Sequence, residues 1–483
     1  MQWPELRRSL SELKAAPLVW VGVCLSMIAA QTMLCSIFAV HAVIDMDYHG
    51  RNADDMASSA TSVPMVFTVV AAVLVLLWVI SSALDQRRHQ LALLVLQGAM
   101  PWQLLAMNIL TILILFVMAA VVSCFLTPLV APIICALITN SFGMALPYRN
   151  VNLPFSLRTG LIISGAATLI GTVMTVHSLG RIRPMEALRQ SQSPPRKAGT
   201  FRTFLGGVFL AGVLCLLAIP GLTSGQASRT ELANFMGSKA IQGRMNLFLG
   251  TSMGALFLLI FTLAAWSPYI LPLVTRGWTN LVPLRSPTWR LARQQAVGRI
   301  QRQGATIIPM AAGLSLLMSF SGILLTLRNS MALFAPPGTS DDSSSNGQML
   351  VSLAAMLGPA LVITLAGVIS GLLITSRGRS LDLALTYVSG AEVGQLRILG
   401  SLDGAITMVT ATLLSFIVTL ICTGGTAFNL FVYLGHARMG IQWSWWAAIV
   451  LCTALVGCLA TGLQTAGTHF EQSTRIIARA IGE

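Results

Sequence analysis

Apolar residues run along this chain in long, unbroken stretches separated by short polar segments, and within the stretches they do not alternate with polar ones. Wound as helices, about 20 such residues match the core of a bilayer. Ten runs qualify: 17–42, 64–84, 102–130, 158–178, 204–220, 247–273, 305–326, 348–375, 400–423 and 443–465. The pattern predicts ten spanning helices and an all-α polytopic membrane protein. Continuous runs exclude a transmembrane β-barrel, whose strands alternate. Arg7, Arg8 and Lys14 precede the first run as they would in a signal peptide. That run is too long for such a peptide and is needed by the repeat below, so it is expected to stay as an uncleaved first helix.

Composition agrees. Charged residues make up 10% and hydrophobic ones 55% of the 483, whereas a soluble domain carries about 25% charged residues. The excess of 30 Lys and Arg over 16 Asp and Glu would suggest nucleic acid in a soluble protein, but its placement gives another reading. With the N-terminus inside, the segments 1–16, 85–101, 177–203, 274–304, 376–399 and 466–483 hold 22 of the 30. The positive-inside rule then puts both termini in the cytoplasm of a cell membrane, with lipids and not nucleic acid as the surroundings.

Placing Gly98 on Gly390, an offset of 292, aligns RRHQLALLVLQGAMPWQL with RSLDLALTYVSGAEVGQL, and Leu91, Ala92, Leu93, Gly98, Ala99, Gln103 and Leu104 meet identical residues. The same offset carries the starts of spans 1 to 4 close to those of spans 7 to 10, Pro132 onto Gly424, and Arg183 onto Arg475. The chain therefore reads as two four-helix units in parallel repeat, 1–190 and 289–483, joined by 191–288 with spans 5 and 6. In each unit the segment between the second and third spans (85–101 and 376–397) opens on arginine. It places Leu91, Leu94 and Val95, or Leu381, Leu385 and Val388, at helical spacing and closes on Gly-Ala. A short amphipathic helix with a glycine C-cap is expected there.

Candidate chemistry is sparse. No P-loop surrounds Lys14, Lys197 or Lys239, so any ATP and magnesium are handled by another subunit. H-E-x-x-H does not occur, no paired aspartates stand within the spans, and few titratable groups stand at the span centres, which argues against an enzyme and against an ion-coupled carrier. His41, Asp45 and His49 have the spacing of a weak metal site on one helical face; a solvated helix tip is the plainer reading. Asp403, after Arg397, is close enough to the start of its span to reach the interface. All eight cysteines lie in apolar runs and are expected to be small core residues. The stretch 335–347 (APPGTSDDSSSNG) is expected to be a polar, mobile turn. Pro132 and the pair Gly424 and Gly425 are expected to end the third and ninth helices, leaving 133–138 and 428–434 as interfacial segments.

At the coupling segments and at 181–189 (RIRPMEALR) the sequence resembles the FtsX-like permease superfamily, the membrane subunits of MacB-type, type VII ABC transporters. The stretch 289–304 (WRLARQQAVGRIQRQG) looks like the basic amphipathic lead-in to the second unit. The ten-span form is similar to the BceB-type permeases of bacterial antimicrobial-peptide transporters, without their large external domain. The resemblance implies a permease that uses two copies of a cytoplasmic ABC ATPase to export or extract a hydrophobic or amphipathic peptide, lipid or drug-like molecule. The alternative is mechanotransmission to an envelope process, with nothing transported. It implies ATPase coupling through Arg87, Arg88, Gln90, Leu91, Leu93, Gly98 and Ala99 in one copy. In the other the same role falls to Arg379, Asp382, Leu383, Leu385, Gly390, Ala391 and Glu392. Arg181, Arg183, Pro184, Glu186 and Arg189 form the cytoplasmic basic motif. Gln90 and Asp382 replace the usual acid of the segment, so the two sites are expected to be unequal.

Overall fold

A computed structural model of the chain describes residues 17–48, 54–86, 100–142, 153–179, 200–224, 239–283, 286–300, 303–331, 342–441 and 443–466. Its described elements are all helices: α1 (Pro17–Tyr48), α2 (Asp54–Gln86), α3 (Pro101–Phe142), α4 (Leu153–Leu179), α5 (Thr200–Ser224), α6 (Lys239–Leu281), α7 (Pro287–Arg299), α8 (Gly304–Met331), α9 (Asp342–Val388), α10 (Val393–Leu434) and α11 (Trp443–Ala466). Among the described residues nine helices, α1 to α6 and α8 to α10, are long and apolar enough to cross a membrane. In α11, 24 residues long, the described apolar stretch is Trp446–Leu459. The protein is thus an all-α, multi-pass membrane protein.

By packing, the chain divides into two compact units. One holds Met1–Pro195 with Asn346–Arg379, the other Arg196–Ser345 with Ser380–Glu483. Packing and repeat therefore divide the chain differently: most of α9, which belongs to the second repeat, groups with the first unit.

In the first unit α1 is the central helix, packed by α2, α3 and α4. Ile37, Val40 and Ile44 of α1 share a buried cluster with Ile134, Cys135 and Ile138 of α3 and Ala355 of α9. Two backbone approaches need small residues. A Cβ on Gly160 of α4 would stand 2.9 Å from the backbone nitrogen of Cys35, and one on Gly22 of α1 would stand 3.1 Å from the Ser370 carbonyl. Ser370 Oγ donates to the Gly22 carbonyl at 2.6 Å. Lipid offers no hydrophobic drive between helices, so such close contacts and hydrogen bonds hold them together.

In the second unit α10 is central, with α8, α11, α6 and α5 around it. Hydroxyls bridge the helices: Ser252 to Thr426 at 2.8 Å, Ser319 to Thr419 at 3.2 Å, and Trp278 Nε1 donating to Thr410 Oγ1 at 3.1 Å. Proline 268 has no N–H for the Ala264 carbonyl. Arg202 of α5 supplies that donor at 2.7 Å, while Trp266 Nε1 donates back to the Thr203 carbonyl at 3.1 Å.

The offset of 292 recurs in three dimensions. Helices α3 and α10 both begin and end at positions 292 apart. Thr127 donates to the Ser123 carbonyl and Thr419 to that of Ser415. Gly165 faces Phe116 in the first unit, and in the second Gly457 faces Met408, again 292 residues on.

Three expectations are corrected. Helix α3 runs through Pro132 to Phe142, and α10 through Gly424 and Gly425 to Leu434. Proline is tolerated in membrane helices where local polar groups and neighbours re-satisfy the backbone. Gly425 serves packing instead, since a Cβ there would stand 2.7 Å from Leu217 of α5. The chain leaves α10 at Gly435, where φ is +78° and the amide bonds the Phe431 carbonyl at 2.9 Å. The second correction concerns 335–347, for α9 already starts at Asp342; 335–341 lie outside the described residues. The third concerns the cysteines. Cys35, Cys135 and Cys422 are buried, but Cys124, Cys215 and Cys452 are exposed on the outside of the bundle, where lipid is as good a solvent for a thiol as a core.

Candidate functional site

The second coupling segment lies at the end of the second unit where α8 and α10 begin and α6 ends. It is not a separate short helix. The helix of the eighth span continues as α9 through Val388 without a break. Burial of one flank holds it: Leu383 is 3% exposed and packs with Trp289, Ala292 and Ala296 of α7 and with Leu396, Leu399 and Ile406 of α10, flanked by Tyr387 and Ala391. Helix α7 is built for this contact. Ser286 caps it by accepting from the Trp289 amide at 3.3 Å, Pro287 takes the first turn, and the buried residues recur every three or four positions.

The Gly-Ala closure has a specific geometry. At Gly390 φ is +102°. The Gly390 amide bonds the Tyr387 carbonyl at 3.0 Å and the Ala391 amide bonds that of Thr386 at 3.3 Å. This is a Schellman motif, which needs a left-handed residue. The expected glycine C-cap is therefore present. Replacing Gly390 by alanine is expected to destabilise the turn by about 1–2 kcal/mol. Gly394→Ala, four residues on with nothing near its Cβ, should leave thermal unfolding unchanged or slightly raised.

Beyond this turn Glu392 opens α10 without a side-chain cap. Leu385 and Val388, three residues apart, are 51% and 62% exposed on the flank away from α7. The face expected to be apolar is therefore split in two. Leu383 and Tyr387 anchor the segment, and Leu385 and Val388 remain outward. Arg379 and Asp382 lie in α9, but their side chains are outside the described residues, as is that of Leu381. So are Arg87, Arg88, Gln90, Leu91, Leu93, Gly98 and Ala99 of the first copy and Arg181, Arg183, Pro184, Glu186 and Arg189 of the basic motif.

Asp403 does not reach the interface. It is 5% exposed, and both carboxylate oxygens accept from Gln303 Nε2, at 3.1 and 2.9 Å. Gln303 Oε1 in turn accepts from Thr407 Oγ1 at 3.0 Å, and the Gln303 carbonyl receives the Thr306 and Ile307 amides at the start of α8. Sequence reasoning missed Gln303; its position at the head of a span, opposite a flagged aspartate at the head of another, was the available signal. Among the described residues no three His, Cys, Asp or Glu side chains gather as a metal site. His41 Nδ1 lies 2.8 Å from Thr61 Oγ1, and His49 is outside the described residues.

Residues 62–187, which include the first coupling segment, match the FtsX-like permease C-terminal family model. This match over 62–187 is similarity to an FtsX-like permease domain and supports a permease subunit of an ABC-type transporter; FtsX-like permeases generally partner with ABC ATPases. A comparison with curated proteins finds no match.

Proposed function

We propose that the chain is the ten-span permease of a MacB-type transporter, with both termini cytoplasmic and α11 as the tenth span. Its two coupling segments each receive one subunit of an ATPase dimer, and ATP-driven motion exports or extracts a hydrophobic or amphipathic molecule. The single observation that carries the reading is the outward pair Leu385 and Val388 on a rigidly capped helix end. It stands 292 residues beyond the segment inside the permease-family match. An exposed apolar pair held by a buried flank is suited to receive a partner surface.

The test is to replace Leu93 or Leu385 by aspartate and follow ATPase co-purification and ATP hydrolysis. Each variant is expected to reach the membrane and to lose most of the coupling, by tenfold or more on the order of a lost interface anchor, with unequal losses at the two sites. Full coupling in both variants would refute the assignment.

A further inference from the structure

We propose that the basic flank of α7 is a binding site for the phosphate headgroups of anionic phospholipid. Three observations carry it. First, α7 is tied to the membrane surface at both ends. Helix α6 ends at Leu281 and α7 begins at Pro287, while α7 ends at Arg299 and α8 begins at Gly304. Both neighbours are long and apolar enough to span. Its buried side, Trp289, Ala292 and Ala296, packs with Leu396 and Leu399 in the first turns of α10 and beside Trp278 and Val282 at the end of α6, which holds the helix at that end of the spans.

Second, the depth of headgroups is marked beside it. Arg276 lies on an exposed stripe of α6 between Leu273 and Leu281, which are 72% and 81% exposed. An arginine among lipid-facing leucines must sit where its guanidinium reaches phosphate and water. The Trp278 and Trp289 rings meet edge to face at 6.4 Å and join this turn of α6 to α7. Tryptophan favours that level of the bilayer.

Third, the charge is uncompensated. With Trp289, Ala292 and Ala296 buried, Arg290 is fully on the open side and Arg293 at its edge, beside exposed Leu291. Among the described residues neither arginine has an ion pair or a side-chain hydrogen bond, whereas Arg202 of α5 bonds both the Ala264 carbonyl and Ser267 Oγ. A planar guanidinium matches phosphate in geometry as well as charge. The apolar Leu291 beside the two arginines, and the depth set by Arg276, favour a lipid over an acidic protein surface. The site does not depend on whether the chain transports anything.

The experiment reconstitutes the full-length permease in phosphatidylcholine bilayers containing a minor fraction of phosphatidylglycerol. Lipids retained after gentle extraction are then counted by native mass spectrometry. Wild-type protein should retain phosphatidylglycerol in preference to phosphatidylcholine, less so at high salt. Arg290→Gln with Arg293→Gln should weaken that preference about fivefold per arginine, the worth of one cation at an anionic surface. The corresponding lysine pair should keep part of it, and Arg438→Gln, at the other end of the unit, should change nothing. Equal retention of the two lipids by wild-type protein overturns the proposal without recourse to any variant. So does a glutamine pair that retains phosphatidylglycerol in full. A glutamine pair that retains the lipid but loses ATPase co-purification would assign the surface to the partner protein.

Discussion

Replacing Gly404 or Gly457 by valine is expected to give the largest loss of stability of any single substitution in the second unit. The two glycines stand back to back where α11 crosses α10. A Cβ on Gly404 would lie 2.5 Å from the Gly457 carbonyl oxygen, and one on Gly457 would lie 2.8 Å from that of Gly404. Both obstacles are backbone, so no rotamer change relieves them. The helices would have to separate, losing the dispersion contacts that substitute for a hydrophobic drive in lipid. A penalty at or above the upper end of overpacking effects, about 3 kcal/mol, is expected. Thermal unfolding in detergent should show it as an early, non-cooperative loss of monodisperse protein. Gly250 of α6 is the control, since a Cβ there meets nothing within 4 Å. Gly250→Ala should be neutral or stabilising by up to about 1 kcal/mol. Wild-type stability in both valine variants would show that the α10 to α11 crossing is looser than described.

Gln303→Leu is expected to come next. The substitution removes the amide that donates to both oxygens of buried Asp403 and accepts from Thr407. It removes no backbone cap of α8, which uses the Gln303 carbonyl. Leaving a buried carboxylate short of its donor costs about 3 kcal/mol. Because the penalty belongs to the buried carboxylate that loses this donor and not to the lost bond alone, removing both partners should recover much of it. Gln303→Leu with Asp403→Leu is therefore expected to unfold at a higher temperature than Gln303→Leu alone. A double variant no better than the single one, or a single variant as stable as wild type, would show that the two side chains are independent.

The spans were readable from hydropathy because a bilayer solvates apolar side chains directly, so burial in protein is not required for the pattern to appear. The repeat was readable for the same reason, and α3 and α10 start and stop 292 residues apart as the aligned Gly-Ala motifs suggest. Gly390 was legible as a cap because only glycine adopts its backbone conformation without strain.

What the amino-acid sequence by itself determined is therefore local or periodic: helical class, the register of the two copies, the glycine turn and the poverty of titratable groups. Tertiary structure alone decided the rest. Pro132 and Gly424 read as helix ends, yet whether a proline or glycine stops a helix depends on the groups around it, and here the helices continue. Cys35 and Cys124 look alike in apolar runs, but one is buried and the other exposed, because lipid and core make the same demand on side-chain polarity. Asp403 looked able to reach water until Gln303, 100 residues away, was found across from it. Leu383 and Leu385 carry equal hydropathy, and only the position of α7 makes the first an anchor and leaves the second outward.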